Sequence, residues 1–285
     1  MDSALSPRQL AESFAVDDLI EIIHAQPKRN SRGHSITGFG YPLDNPVIYI
    51  KYGDHYERAT DAEARTHKWA YETLQKMPQS ERQGIHIPEV YRVIDLTSWT
   101  IIIMEFISGK TLKALLESQT TSDEYLDQCF GQIERALRLF ISFPVPQDAS
   151  PGPYGGGLIK SPLFKYYQAT IEYPTVELLE MHLNKIATWF NKEGPKLNLE
   201  RKLHFVLSDL YEGNFMFTES GDLFVIDFEM ANFLPLSFMT YAMIQHHDVC
   251  SLKDRFELPQ ENLEIMRRVS DLLIKSVRRL GLPVG

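Results

Sequence analysis

Residues 208–229 read SDLYEGNFMFTESGDLFVIDFE. The stretch places Asp209, then Asn214 five residues on, then Asp227 behind an apolar run. Two short apolar runs, FMF and LFVI, flank Glu219-Ser220-Gly221-Asp222, and that pattern predicts a hairpin. In a hairpin the strand ending at Asp227 returns beside Asn214. The intervening LYEG is too irregular for a strand, and Gly213 lets it turn back as a loop. An Asp and an Asn side by side form a hard-oxygen site suited to Mg2+. Asp209 is then placed to accept a proton from a hydroxyl. Phosphoryl transfer from a nucleotide uses these parts: cations against the phosphates, a carboxylate for the nucleophile. The plainer alternative makes Asp209 and Asp222 turn residues and Asp227 a cap.

Composition narrows the classes. A chain of 285 residues exceeds what one ordinary core needs, so two lobes or one large domain are expected. With 44% hydrophobic and 24% charged residues it reads as a soluble globular protein. The net charge of -9 argues against a nucleic-acid partner. The longest apolar run, WTIIIMEFI, falls short of the roughly 18 residues of a membrane span. The opening MDSALSPRQLAESF lacks a basic region followed by an apolar one, so it does not read as a signal peptide. Cys129 and Cys250 lie outside any metal or CxxC spacing and read as free thiols. These features predict a cytoplasmic protein with no membrane partner.

Working outward, residues 6–26 carry helical periodicity behind Ser6-Pro7. Residues 46–53 (PVIYIKYG) read as a strand, and 60–77 as a helix with Asp61 as its cap. Residues 87–109 read as two strands turning near Asp95–Ser98. Helices are predicted from Thr111, over 123–143, from Thr175 and over 261–280, with a Pro- and Gly-rich loop over 144–162. Strands plus one helix, then helices with one embedded hairpin, predict an α+β, two-lobed fold. The lobes divide as 1–107 and 108–285.

SDLYEGN and VIDFE resemble the catalytic loop and the metal-binding Asp motif of the aminoglycoside phosphotransferase family, the small-molecule branch of the protein-kinase-like fold. The resemblance covers roughly residues 35–245, and the stretch from PGPYGGG to TVELLE is similar to a fungal subset of that family. It implies a small antiparallel-sheet lobe, a larger helical lobe, and the use of ATP and Mg2+. It implies Asp209 as the catalytic carboxylate, and Asn214 and Asp227 as the metal ligands. Lys51 matches the lysine that contacts nucleotide phosphates, with Glu63 as its partner and Glu57 as the alternative. The backbone of Glu105, Phe106 and Ile107 matches the adenine-binding segment, Met104 and Phe106 adding apolar packing.

The chain departs from the family pattern twice. Leu207 stands where a His usually precedes the catalytic Asp, and His204 comes too early to replace it. No G-x-G-x-x-G is present; SRGHSITGFG, with Gly33, Gly38, Gly40, Ser35 and Thr37, is the candidate phosphate-covering loop. The expected function is ATP-dependent transfer of the γ-phosphate to a hydroxyl of a small molecule. Glu212 and Glu229 suggest an amine-bearing acceptor. The alternative is a catalytically degenerate kinase-like module that binds a nucleotide or metabolite. His246-His247-Asp248 lacks metal spacing, Trp69, Trp99 and Trp189 read as core, and Arg267, Arg268, Lys275, Arg278 and Arg279 read as a solvated face.

Overall fold

The computed structural model describes residues 5–29, 37–54, 61–96, 99–245, 248–249, 252 and 255–276. Gly33, Ser35, Glu57, Ser98, His246, His247, Cys250, Arg278 and Arg279 lie outside the described residues.

The helix expected over 6–26 is two helices, α1 (Pro7–Ser13) and α2 (Val16–His24). Ser6 starts α1 with a capping box: its Oγ accepts from Gln9 N–H at 3.3 Å, and Gln9 Oε1 accepts from Ser6 N–H at 2.9 Å. Phe14 and Ala15 are extended and break the run. A distant arginine accounts for the break. Arg92 Nη1 donates to the carbonyls of Ala11, Glu12 and Phe14 at 3.3, 3.3 and 2.8 Å. These are carbonyls a helix end leaves open.

The first sheet has the order β1-β2-β5-β4, all antiparallel, from β1 (Gly38–Tyr41), β2 (Ile48–Asp54), β4 (Val90–Asp95) and β5 (Trp99–Glu105). Between them come α3 (Asp61–Lys76), α4 (Gln79–Arg82) and β3 (Ile85–His86). Alternation sorts the two faces of β2 and β5. Ile48, Ile50, Ile101 and Ile103 bury one face under Ala11, Leu19 and Ile23 of the leading helices. Ile102 and Met104 pack on the other with Ala64 of α3 and Tyr49. Lys51 shares that second parity with Tyr49, two residues along β2, and stands directly opposite Ile102. Asp61 is the first residue of α3 rather than its cap.

The rest of the chain is mainly helical: β6 (Lys110–Thr111), α5 (Leu112–Leu116), α6 (Asp123–Ile141), α7 (Val176–Ala187), β7 (His204–Leu207), β8 (Phe215–Phe217), β9 (Leu223–Val225), β10 (Ala231–Leu234), α8 (Leu236–Met243) and α9 (Leu263–Lys275). Thr111, Ser122 and Thr175 cap α5, α6 and α7 through their hydroxyls. The expected hairpin is present: Phe215 pairs with Val225 and Phe217 with Leu223, around Gly221 at φ +85°. It is larger than expected, because β6 adds to β8 and β3 runs parallel to β9. A second pair, β7 with β10, accompanies it. These additions use strands of two to four residues from distant parts of the chain, which carry no periodicity of their own.

Trp69 packs between Phe205, Phe233 and Phe143, and Trp99 stacks on Tyr52. Trp189 is not core but 49% exposed. Helix α7 ends at Ala187, so Trp189 lies beyond the face that periodicity assigned it. Among the described residues no helix is long and apolar enough to cross a membrane.

Candidate active site

Strand β2 aims Lys51 toward the start of α3. Its Nζ donates to Glu63 Oε1 at 2.6 Å and to Asp227 Oδ1 at 3.0 Å. Asp227 follows β9 in the left-handed region, at φ +63°. An ordinary residue adopts that conformation only when its surroundings hold it there. Here Glu229 N–H donates to Asp227 Oδ1 at 3.2 Å and closes the turn.

The charges in this cluster shift one another. Burial works against the Lys51 ammonium, but Asp227 and Glu63 outweigh it and hold the pKa above the ordinary lysine value. Burial also works against the Asp227 carboxylate, and the Lys51 charge and hydrogen bond reverse it, so Asp227 stays below its ordinary value. Glu63 goes the other way. Burial pushes it up to about 7 against the pull of Lys51, and the charges of Asp227 and Glu229 push in the same direction. Within the cluster Asp227 is thus biased toward the ionised form and Glu63 toward the protonated one.

His67 sits one turn along α3 from Glu63. Its Nε2–H donates to Pro88 O at 2.8 Å, and its ring stacks on Phe228 at 4.7 Å. Burial pulls its pKa down to about 4, so the ring is neutral near pH 7.

The loop carrying Asp209 leaves β7. Ser208 N–H donates to Met230 O at 2.9 Å, and Leu207 pairs with Ala231. Leu207 is buried in the same core as Phe228. A backbone ladder and apolar packing thus anchor the loop where the usual His would have used its side chain. His204 Nδ1 instead meets Ile141 O at 3.1 Å. Asp209 Oδ1 accepts from Tyr211 N–H at 3.1 Å. Asn214 Nδ2 donates to Asp209 O at 3.4 Å, and Asn214 O accepts from Ile226 N–H at 2.9 Å. The hairpin therefore brings Asn214 next to the residue preceding Asp227. A Cβ at Gly213 would lie 2.4 Å from Tyr211 Cε1, so a larger residue there would displace the Tyr211 ring.

A cleft of about 320 Å³ opens beside the cluster, within the range of small-molecule pockets. Lys51, Glu63 and Asp227 line one end. Met104, Glu105, Phe106 and Ile107 line another, with Thr37 and Met216 among the remaining walls. Asp209 and Asn214 are not among its lining residues. Glu105 N–H already donates to Glu89 O at 2.9 Å, so Glu105 can offer the cleft its carbonyl but not its N–H.

Two carboxylates differ from expectation. Glu229 is bonded to Lys160 Nζ at 2.7 Å, and Glu212 is buried rather than standing at an open loop tip. Lys160 and His67 were not singled out from the sequence. Lys160 lies in the Pro- and Gly-rich segment, which also holds α3 in place. Arg65 donates to Tyr154 O at 3.4 Å and Gly156 O at 3.2 Å, and Tyr154 N–H donates to Thr66 Oγ1 at 3.0 Å. No local pattern marks Lys160, and helical periodicity places His67 only on the packed face of α3.

Residues 43–238 match the family described as the phosphotransferase enzyme family. Among solved structures, a thermostable mutant of aminoglycoside phosphotransferase APH(4)-Ia, in a ternary complex with ADP and hygromycin B, is similar at 14% identity and a TM-score of 0.51, over 90% of this chain and 87% of that one. A candidate fructosamine-3-kinase from Haemophilus somnus 129PT aligns at 10% identity and a TM-score of 0.38, over 80% and 83%. No curated protein sequence matches. The fold is thus the two-lobed kinase-like fold, and with more than half its length matched, the chain belongs to the phosphotransferase enzyme family.

Proposed function

We propose that this protein is an ATP-dependent phosphotransferase that moves the γ-phosphate to a hydroxyl of a small molecule. The observation that carries the reading is Lys51, bonded at once to Glu63 and Asp227 at the end of the cleft. In this reading residues 1–107 form the nucleotide-binding lobe, and residues 108–285 supply the catalytic loop, metal site and acceptor pocket.

The donor set fits a hard cation. Asp227 is held ionised by Lys51, and its side chain is 35% exposed. Asn214 uses its amide nitrogen on Asp209 O, which leaves the amide oxygen as a ligand atom. Bound Mg2+ would neutralise phosphate charge between these two residues. Lys51 meets phosphate oxygens, and Glu63 keeps its ammonium in place. The Glu105 carbonyl and the Ile107 N–H hold the adenine edge. Asp209, oriented by Tyr211 N–H, accepts the acceptor's hydroxyl proton. The hydroxyl oxygen bonds to the γ-phosphorus as the bond to the bridging oxygen breaks, and ADP leaves. Positioning and fixed charge lower the barrier.

An amine-bearing acceptor stays within the proposal, but Glu229 and Glu212 do not argue for it, since one is paired and the other buried. The test is mass analysis of reactions containing ATP, Mg2+ and a panel of hydroxylated compounds, amine-bearing and amine-free. The reading requires a product carrying one added phosphate. ATP binding with no product and no hydrolysis across the panel would instead favour the binding-module reading.

A further inference from the structure

Three carboxylates, Glu63, Asp227 and Glu229, present oxygens within 4.8 Å of one another. Two ammonium groups face them. Lys51 bonds Glu63 and Asp227, and Lys160 bonds Glu229 at 2.7 Å. The carboxylates differ in exposure: the side chain of Asp227 is 35% exposed, those of Glu229 and Glu63 only 17% and 1%. Asp227 is therefore the most exposed carboxylate of the cluster, and it lines the cleft together with Glu63, whereas Glu229 does not.

We propose that Lys160 is a positioning residue of this site: by holding Glu229 it keeps that carboxylate off Lys51 and out of the cleft, so that Glu229 adds no further negative charge where the incoming polyanion meets Lys51 and Asp227. The inference rests on the nucleotide reading above. Two alternatives are open to a Glu229 that has lost its cation. It can compete with Glu63 and Asp227 for Lys51, or it can add a second negative charge where phosphates must sit. Either outcome weakens binding of a phosphate chain, and both act through Glu229.

The placement of Lys160 is built into the fold. Its side chain is 14% exposed. Its carbonyl accepts from Asn232 Nδ2 at 2.9 Å, Asn232 being a buried residue of β10. Its backbone also bridges to Gln168. Strand β10 pairs with β7, which leads into the Asp209 loop, so one strand fixes both Lys160 and the base of the catalytic loop.

The test is calorimetric binding of ADP with Mg2+ to four proteins, each checked for folding by thermal melting. The wild type binds. Lys160→Met binds at least about tenfold more weakly, a loss of about 1.4 kcal/mol. Lys160→Arg stays within about threefold, because the charge is kept. Lys160→Met combined with Glu229→Gln recovers most of the loss, the coupling expected of residues that act through one another. No binding by the wild type would overturn the nucleotide reading itself. Wild-type binding with unchanged affinity in Lys160→Met would overturn this inference alone. So would a folded double variant as weak as Lys160→Met, since Lys160 would then act by some route other than Glu229. If Lys160→Met does not fold, Glu229→Gln decides: it removes the charge Lys160 restrains and tightens ADP binding, and weaker binding overturns the inference.

Discussion

Lys51 Nζ lies 3.0 Å from Asp227 Oδ1 although 176 residues separate them in the chain. The contact joins a strand of the first sheet to the turn after β9. It fixes a cation and an anion at the end of one cleft before any ligand arrives. Its electrostatic mark is the opposed shifts of Lys51, upward, and Asp227, downward.

Under the proposed function, replacing Asp209 separates chemistry from binding. Asp209→Asn keeps an oxygen to accept the Tyr211 N–H but cannot take up a proton. Turnover falls by about 10²–10⁴-fold, the range general-base groups supply. The affinity for ADP with Mg2+, measured by calorimetry, stays unchanged, because Asp209 does not line the cleft beside Lys51.

Placing the family histidine at position 207 is expected to cost stability without raising turnover. Leu207→His places an imidazole in a buried apolar site whose backbone is already paired with β10. A loss of about 1–3 kcal/mol is expected for a buried polar group without a partner. Urea unfolding reports the loss, and steady-state kinetics report no gain in turnover. A gain would mean that the ladder does not replace the histidine's scaffold role.

The pH dependence of stability has a definite sign at His67. Its folded pKa, about 4, lies below the ordinary 6.5, so the unfolded chain binds more protons between these values. The neutral ring's contribution is complete above pH 6.5 and is lost as pH falls toward 4. Complete loss amounts to roughly 3 kcal/mol. His67→Phe keeps a ring to stack on Phe228 and removes the titration. The stability of this variant relative to wild type, from urea midpoints at pH 7.5 and 5, therefore improves as pH falls. A difference independent of pH would show that the ring does not stay neutral.

Glu63 titrates with the opposite sign. Its folded pKa of about 7 exceeds the ordinary 4.5, so the folded state binds the extra proton. The stability that protonation confers is complete below 4.5 and is lost as pH rises through 7. Glu63→Gln removes this dependence. Across pH 5 to 8 the variant gains stability relative to wild type, read from the same urea midpoints.

The geometry of the candidate site was legible in the sequence where it is local. Asp209, Asn214 and Asp227 fall within one loop and hairpin, and turn chemistry with short apolar runs marks both. The pairing of Lys51 with Glu63 came from the family resemblance, and 12 residues separate them. What escaped is set by distant partners. The break at Phe14 depends on Arg92, 78 residues away. Lys160 finds Glu229 across 69 residues, from a loop whose composition predicts only irregularity. The β7–β10 pair joins runs of four residues, too short for periodicity to register.

The central claim is that Lys51, Asp227 and Asn214 receive a nucleotide's phosphates and their metal. A crystal structure with a non-hydrolysable ATP analogue and Mg2+ tests it most directly. The account predicts phosphate oxygens on Lys51 Nζ and one metal ion bonded to both Asp227 and Asn214. A nucleotide bound away from this cleft, or a metal that touches neither side chain, contradicts it.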